Sequence, residues 1–440
     1  MNLRIPTTQE QHVIQSMAME YYTNHIKRES YKTKKRCFGI EIEFTLAKSN
    51  GGFSYGSAEH ISNKLSSCPV VPEFGSFQIE INPPPMEVTE HNFRRLYQTV
   101  QQIREKMESY CKEDNTQLIP IGIPFYVDSS YYTNNPYITK KQRYIISAEY
   151  FRQHNENGAT LSFHDGCLRF PGNSSLSIIN ELHIHLQALD IPDLIALFNY
   201  SQMITAPILS LGANSGITNG KELTNKESQI LLFEQAEGLF DGPPNVPRVG
   251  LYPGYLKTID DYFNKILLFT PLYYPEDEQN STVFSLLEGK YFGWTRIRVG
   301  SEPSPHLRIE FRPLSTQPTI IENISISKFY INTLELLKQN DASLLPERYL
   351  RKNLDESIFK GINADLYWDL GEGIQQYPVS DILESLLSQI EHDSYIHLLK
   401  NRIKNVVSPT NKLIDVTKNK GYPKAIDYYM DCFENEMSFI

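Results

Sequence analysis

The 440-residue sequence predicts an α+β fold, an antiparallel sheet with one charged concave face, helices on its other face and a mainly helical C-terminal extension. Three observations carry this expectation. Four short segments alternate apolar and charged residues with period two, helical stretches with apolar residues at three- and four-residue steps lie between and after them, and the charged-strand pattern stops near Asn340.

Composition narrows the class further. Hydrophobic residues at 40%, charged residues at 21%, 27 Tyr and 22 Phe exclude a disordered, collagen-like or coiled-coil chain. A formal net charge of −10 argues against nonspecific binding to nucleic acid, while leaving room for ATP held by metals and local arginines. Cys37, Cys68, Cys111, Cys167 and Cys432 form no CxxC pair, so neither a disulfide framework nor a zinc knuckle is expected, and a reducing cytoplasm fits best. The N-terminus lacks an apolar signal core and no run of about 18 apolar residues occurs, so neither secretion nor membrane spanning is expected.

Taken in order, Thr7-Thr-Gln-Glu10 forms a capping box before Val13, Ile14, Met17, Ala18, Tyr21 and Tyr22, which predicts an opening helix. The basic run Lys27 to Arg36 reads as a solvated helix end rather than a phosphate-facing patch. In Gly39-Ile-Glu-Ile-Glu-Phe44 the apolar residues point one way and Glu41 and Glu43 the other. Phe77-Gln-Ile-Glu-Ile-Asn82 sets Gln78, Glu80 and Asn82 on one face. A helix over Glu87 to Cys111 follows the Pro83-Pro84-Pro85 stop, with Phe93, Leu96, Val100, Ile103 and Met107 as its stripe. Glu181-Leu-His-Ile-His-Leu-Gln187 presents Glu181, His183, His185 and Gln187, and Leu307-Arg-Ile-Glu-Phe-Arg312 presents Arg308, Glu310 and Arg312. Helical periodicity returns over Asp193 to Leu211, over Thr319 to Leu337 and in pieces from Ser380, whereas Asp241 to Pro275 reads as long ordered loops.

One antiparallel sheet face turned to water would explain any single strand. Four strands bearing Glu, His and Arg are harder to explain that way, because carboxylates two residues apart on one face repel unless a cation lies between them. Glutamates with one imidazole suit Mg²⁺ or Mn²⁺, which favour oxygen donors, so the concave face is expected to bind metal. Two such ions could clamp a polyphosphate while Arg308 and Arg312 hold the remaining charge. The chain has no GxxxxGK[ST] loop and no kinase HRD or DFG set, so a nucleotide would be held on the sheet.

Gly39-Ile-Glu-Ile-Glu43, His183-Ile-His185, Gly212-Ala-Asn-Ser215 and Arg308-Ile-Glu-Phe-Arg312-Pro313 together resemble the carboxylate-amine ligases of the glutamine synthetase superfamily, nearest the glutamate–cysteine ligase-like group. The resemblance spans about Cys37 to Tyr330. It implies metal roles for Glu41, Glu43, Glu73, Glu80, His183 and Glu310, nucleotide contacts for His185, Arg308 and Gln78, and substrate contacts for Arg312, Asn214 and Ser215. Arg308, Arg312 and Glu310 would carry catalysis, with ATP and Mg²⁺ (or Mn²⁺) as cofactors. The implied reaction is amide formation, γ-glutamyl or similar, between a small-molecule or peptide carboxylate and an amine through an acyl phosphate. A degenerate nucleotide- or peptide-binding relative and a metal-dependent amide hydrolase are the alternatives. No nucleic acid or membrane partner is expected. Residues 1–340 would form the catalytic domain and 341–440 a helical extension that caps the fold, recruits a partner or mediates homo-oligomer assembly.

Overall fold

The 12-residue strand β1 (Cys37–Lys48) is the spine of an 8-stranded antiparallel sheet. The computed structural model describes residues 3–29, 31–48, 51–128, 132, 137–238, 242–275, 279–300, 305–391 and 393–440. The other strands are β2 (Val70–Pro72), β3 (Gln78–Ile81), β4 (Met86–Glu87), β5 (Thr116–Ile119), β6 (Glu181–Gln187), β7 (Thr295–Gly300) and β8 (His306–Ser315). They run in the order β7-β8-β6-β1-β3-β2, with β4 and β5 also pairing with β1. The register sets Glu41 opposite His183 and Glu43 opposite Glu80, with Glu310 between His185 and Arg296. Pairing of β8 with β6 slips between Phe311 and Leu314, an irregularity that re-aims Arg312.

Behind the sheet, Phe38, Ile40, Ile42 and Phe44 are buried with the stripes of the helices. The opening helix, α1 (Thr8–Tyr21), carries the expected capping box, the Thr7 hydroxyl accepting from Glu10 N–H while the Glu10 carboxylate accepts from Thr7 N–H. Thr89 caps α2 (Glu90–Glu113), whose five expected stripe residues are all buried. This helix starts later than its periodicity suggests because Met86 and Glu87 pair with β1. Asp190 caps α3 (Ile191–Gly212) and Thr319 caps α4 (Ile320–Gln339). By length and composition α3 could cross a membrane, but 89% of its apolar window is buried in the fold, as in a core helix.

One expectation needs correction. Asp241 lies outside the described residues, but the stretch after it is not only loop. It contains the helix Ile259–Ile266, started by a Thr258/Asp261 capping box and burying Ile259, Tyr262, Phe263 and Ile266. The basic run is solvated as expected at Lys27, Arg28, Lys32, Lys34 and Lys35, and Arg36 alone turns inward, pairing with Asp193 and Glu335. Ser30, inside that run, is outside the described residues.

After Asn340 come helices, including α5 (Tyr422–Glu434), and a hairpin of Asp365–Asp369 with Ile374–Pro378. These residues share the hydrophobic core of the sheet. Arg402, fully buried, pairs with Glu322 of α4 at 2.9 Å and donates to Gln317 Oε1 at 2.7 Å. The Tyr429 hydroxyl donates to Pro120 O at 2.6 Å and accepts from Asn214 Nδ2 at 2.7 Å. Tyr429→Phe is therefore expected to cost about 1–3 kcal/mol in denaturant unfolding, since it leaves a buried carbonyl and an amide under-bonded.

Candidate active site

The polar side chains of β1, β3, β6, β7 and β8 converge on one cavity of about 510 Å³. At its floor His183 bridges two carboxylates, with Nδ1 at 2.8 Å from Glu41 and Nε2 at 2.8 Å from Glu181. Burial and Arg312 oppose a charge on this imidazole, but the two carboxylates prevail and raise its pKa well above the usual histidine range. Arg312 donates to Glu181 Oε2 at 3.0 Å and to Glu310 Oε1 at 2.8 Å, and Arg296 donates to the same Glu310 oxygen at 2.8 Å. The result is a continuous chain of alternating charge, Glu41–His183–Glu181–Arg312–Glu310–Arg296, drawn from four strands.

The carboxyls differ sharply in character. Burial works against ionising Glu310, yet Arg296, His185, Arg312 and Arg298 hold it well below the ordinary carboxylate range. Glu41, also desolvated, is held low by His185 and His183. Glu43 and Glu80 go the other way. Burial raises both, and the neighbouring acids, Glu73 and Glu181 for Glu43 and Glu41, Glu73 and Glu43 for Glu80, raise them further.

Three groups offer one ligand atom per residue, all within 4.8 Å of one another: Glu41, Glu80 and His183; Glu41, His185 and Glu310; and Glu43, Glu181 and His183. Glu181 Oε1 is buried and has no hydrogen-bond partner among the described residues. Oxygen-rich clusters with an orphan carboxylate oxygen and mutually repelling acids fit hard divalent cations. Glu73 borders the cavity, where its carboxylate accepts from the Tyr144 hydroxyl at 2.9 Å, but it belongs to none of the three groups.

A second cavity of about 500 Å³ adjoins the first across Glu41 and Asn82, and His185, Arg308, His306, Pro83 and Pro85 border it. Arg308 Nε lies 3.3 Å from His185 Nδ1, whose ring reaches Glu41 through Nε2 at 3.1 Å. Proline walls on one side and the cationic Arg308 beside the carboxylate face are residues that could hold a nucleotide.

Three expected contacts are placed differently. Gln78 borders the first cavity, but its amide is committed, accepting from Gly75 N–H at 2.7 Å and donating to Ile179 O at 2.6 Å, so it fixes the loop before β3. Asn214 and Ser215 do not reach either cavity. The buried carboxylate of Glu227 takes both, accepting from Asn214 N–H at 2.8 Å and from the Ser215 hydroxyl at 2.7 Å, with the Ser315 hydroxyl as a third donor. Burial pushes the Glu227 carboxyl up to about 7 despite these donors. Its charged form is thus disfavoured by folding, so stability falls as pH rises from the unfolded value of 4.5 to about 7 and is level above that. The stability difference between wild type and Glu227→Gln should decline by about 3 kcal/mol across that window in urea melts.

Four residues of the site go beyond the sequence reading. Glu181 stands on the expected polar face but was given no role, and Arg296, Arg298 and Lys290 were not singled out. Arg298 lies 2.8 Å from Glu288 and 3.7 Å from Glu310. The segment Thr295-Arg-Ile-Arg-Val299 has the same period-two alternation as the four recognised strands and was the available signal.

The sequence profile of glutamate–cysteine ligase family 2 matches residues 37–419. No curated protein matches the chain in sequence. Among solved structures, the glutamate–cysteine ligase of Francisella tularensis, determined in complex with AMP, superposes with a TM-score of 0.55 at 13% identity, over 93% of this chain and 90% of that one. A bifunctional glutathione synthetase from Pasteurella multocida aligns with a TM-score of 0.49 at 14% identity, over 97% of this chain and 55% of that one. With the family profile covering most of the chain and the sheet folded as in a glutamate–cysteine ligase, the chain belongs to glutamate–cysteine ligase family 2, ATP-dependent carboxylate-amine ligases built on a glutamine synthetase-like fold.

Proposed function

We propose that the protein forms a γ-glutamyl or similar amide bond between a carboxylate and an amine, through an acyl phosphate, with Mg²⁺ or Mn²⁺ on the carboxylate face. The observation that carries this reading is the unbroken chain from Glu41 to Arg296, which sets ligand-spaced acids directly beside two arginines. Glu41, Glu43, Glu80, Glu181, His183 and Glu310 would hold the metal, which when bound neutralises phosphate charge. Arg308 and His185 orient the nucleotide from the second cavity. Arg312, fixed on both sides by carboxylates, presents a rigid guanidinium to the charge that develops as phosphate is transferred, and needs little reorganisation to do so.

An ADP-release screen over pairs of amino acids, with glutamate as the first carboxylate, tests this. ADP and phosphate are expected only when Mg²⁺, a carboxylate and an amine are all present. ATP-independent amide cleavage would favour a hydrolase, and tight ATP binding without turnover a degenerate relative.

A further inference from the structure

The first cavity extends past the carboxylate face into a lobe that the metal and nucleotide roles leave unused. Lys290, two residues beyond the helix Asn280–Glu288, borders it. Its Nζ stands over two aromatic faces, 4.5 Å from the Tyr273 ring centroid and 5.2 Å from that of Phe292. Among the described residues it has neither a hydrogen-bond acceptor nor an ion-pair partner for its ammonium. The same cavity is bordered by Glu237, buried, whose Oε1 accepts from Asn173 at 2.7 Å and from Ser147 at 3.3 Å while Oε2 has no partner among the described residues. Phe292 also lies 5.7 Å from the guanidinium carbon of Arg312, so one ring separates the lysine from the arginine of the transfer site.

The two ring faces attract an ammonium, but with no acid paired to it they do not repay the hydration that the buried charge gives up. The groups facing it reinforce this. Burial, with Arg143, Arg248 and Arg296 nearby, outweighs Glu237 and brings its pKa down to about 7, while Tyr273 contributes only its ring face. A neutral amine at neutral pH, open to a cavity, is a base.

We propose that Lys290 accepts the proton of the amine substrate. This rests on the ligase reading above, since an acceptor amine arrives as an ammonium and must lose a proton to be a nucleophile. In the step, an N–H bond of the ammonium breaks and its electrons stay on nitrogen, while the proton bonds to the lone pair of Lys290 Nζ. The freed pair on nitrogen forms the C–N bond, the C–O bond to the phosphoryl group breaks with its electrons leaving on phosphate, and the second proton that the nitrogen must lose to become an amide passes to that departing phosphate. Glu237, which borders the same cavity and whose Oε2 has no partner among the described residues, eases the positive charge that Lys290 acquires.

The test compares Lys290→Arg and Lys290→Met with wild type, using the amine that supports ADP release and then hydroxylamine, which is already uncharged at neutral pH. Amine-dependent turnover is expected to fall about 100-fold or more in both variants, while hydroxamate formation stays near the wild-type rate. A lysine that only clamps an anion would be rescued by arginine, so a Lys290→Arg variant with wild-type turnover overturns the proposal, as does an equal loss with both acceptors. A second readout needs no turnover. In protein labelled with ¹³Cε-lysine, one resonance, absent from Lys290→Arg, is expected to titrate near neutral pH, and finding every lysine above about pH 9, close to the ordinary range, overturns the assignment. Wild-type protein that releases no ADP with any pair would sink the ligase reading itself, a failure distinguishable because it precedes any variant.

Discussion

Arg312→Ala is expected to lose ADP-forming turnover by about 100- to 1,000-fold, the usual cost of removing one preorganised electrostatic contact, and also to lose stability. Stability falls because Arg312 is 6% exposed and lies between Glu181 and Glu310, themselves 3% and 2% exposed. Taking it away leaves two buried carboxylates facing each other, and breaking a buried pair in this way commonly costs about 3–5 kcal/mol. Arg312→Lys separates the two effects. A lysine keeps the charge that offsets the acids but cannot donate to both at once, so it should recover much of the stability and little of the rate. Urea melts and ADP release, measured on both variants, check this. Near-normal turnover by the alanine variant would remove Arg312 from the chemistry.

Withdrawing divalent cations should stop ADP formation altogether, and restoring Mn²⁺ should both revive it and raise the melting temperature. Stabilisation by a ligand that binds only the folded state reaches about 2.7 kcal/mol at one hundred times its dissociation constant. The metal-free protein carries the repulsion that lifts the carboxyls of Glu43 and Glu80, and a cation relieves it. Glu80→Gln should therefore melt no lower than wild type without metal, yet lose most of the shift that Mn²⁺ gives. ADP formation that survives chelation, with no melting shift on adding Mn²⁺, would count decisively against a metal centre.

What could be read from the sequence depended on how local its cause is. Period two is written into consecutive residues, so Glu41, Glu43, Glu80, His183, His185, Arg308, Glu310 and Arg312 were visible as members of polar strand faces, and the structure brings those strands side by side. Arg296 and Arg298 obey the same rule, but their strand directly follows a stretch rich in glycine and aromatics that hides where the alternation begins. Asn214 and Ser215 show the limit. A turn sequence says that the backbone bends but not which side of the sheet it bends toward, and here Glu227, 12 residues further on, draws Ser215 inward. The lobe of Lys290, Glu237 and Tyr273 has no local signature at all, because its aromatic and charged walls come from three separate segments and exist only after packing.

The order of strands in the sheet also bears on how the protein is made. β1 begins at residue 37, but its neighbour β6 begins at 181, and β8, which completes the charged face, begins at 306. A chain emerging from the ribosome can pair β1 with β3 early, but must carry its other edge open through the synthesis of well over a hundred residues before β6 exists. Such distant pairings close slowly and leave strand edges open in the meantime. Charge helps during that interval, since Glu41 and Glu43 on a strand with one open edge discourage it from pairing with another copy of itself. The same glutamates that make the finished site chemically demanding would keep the unfinished chain from aggregating.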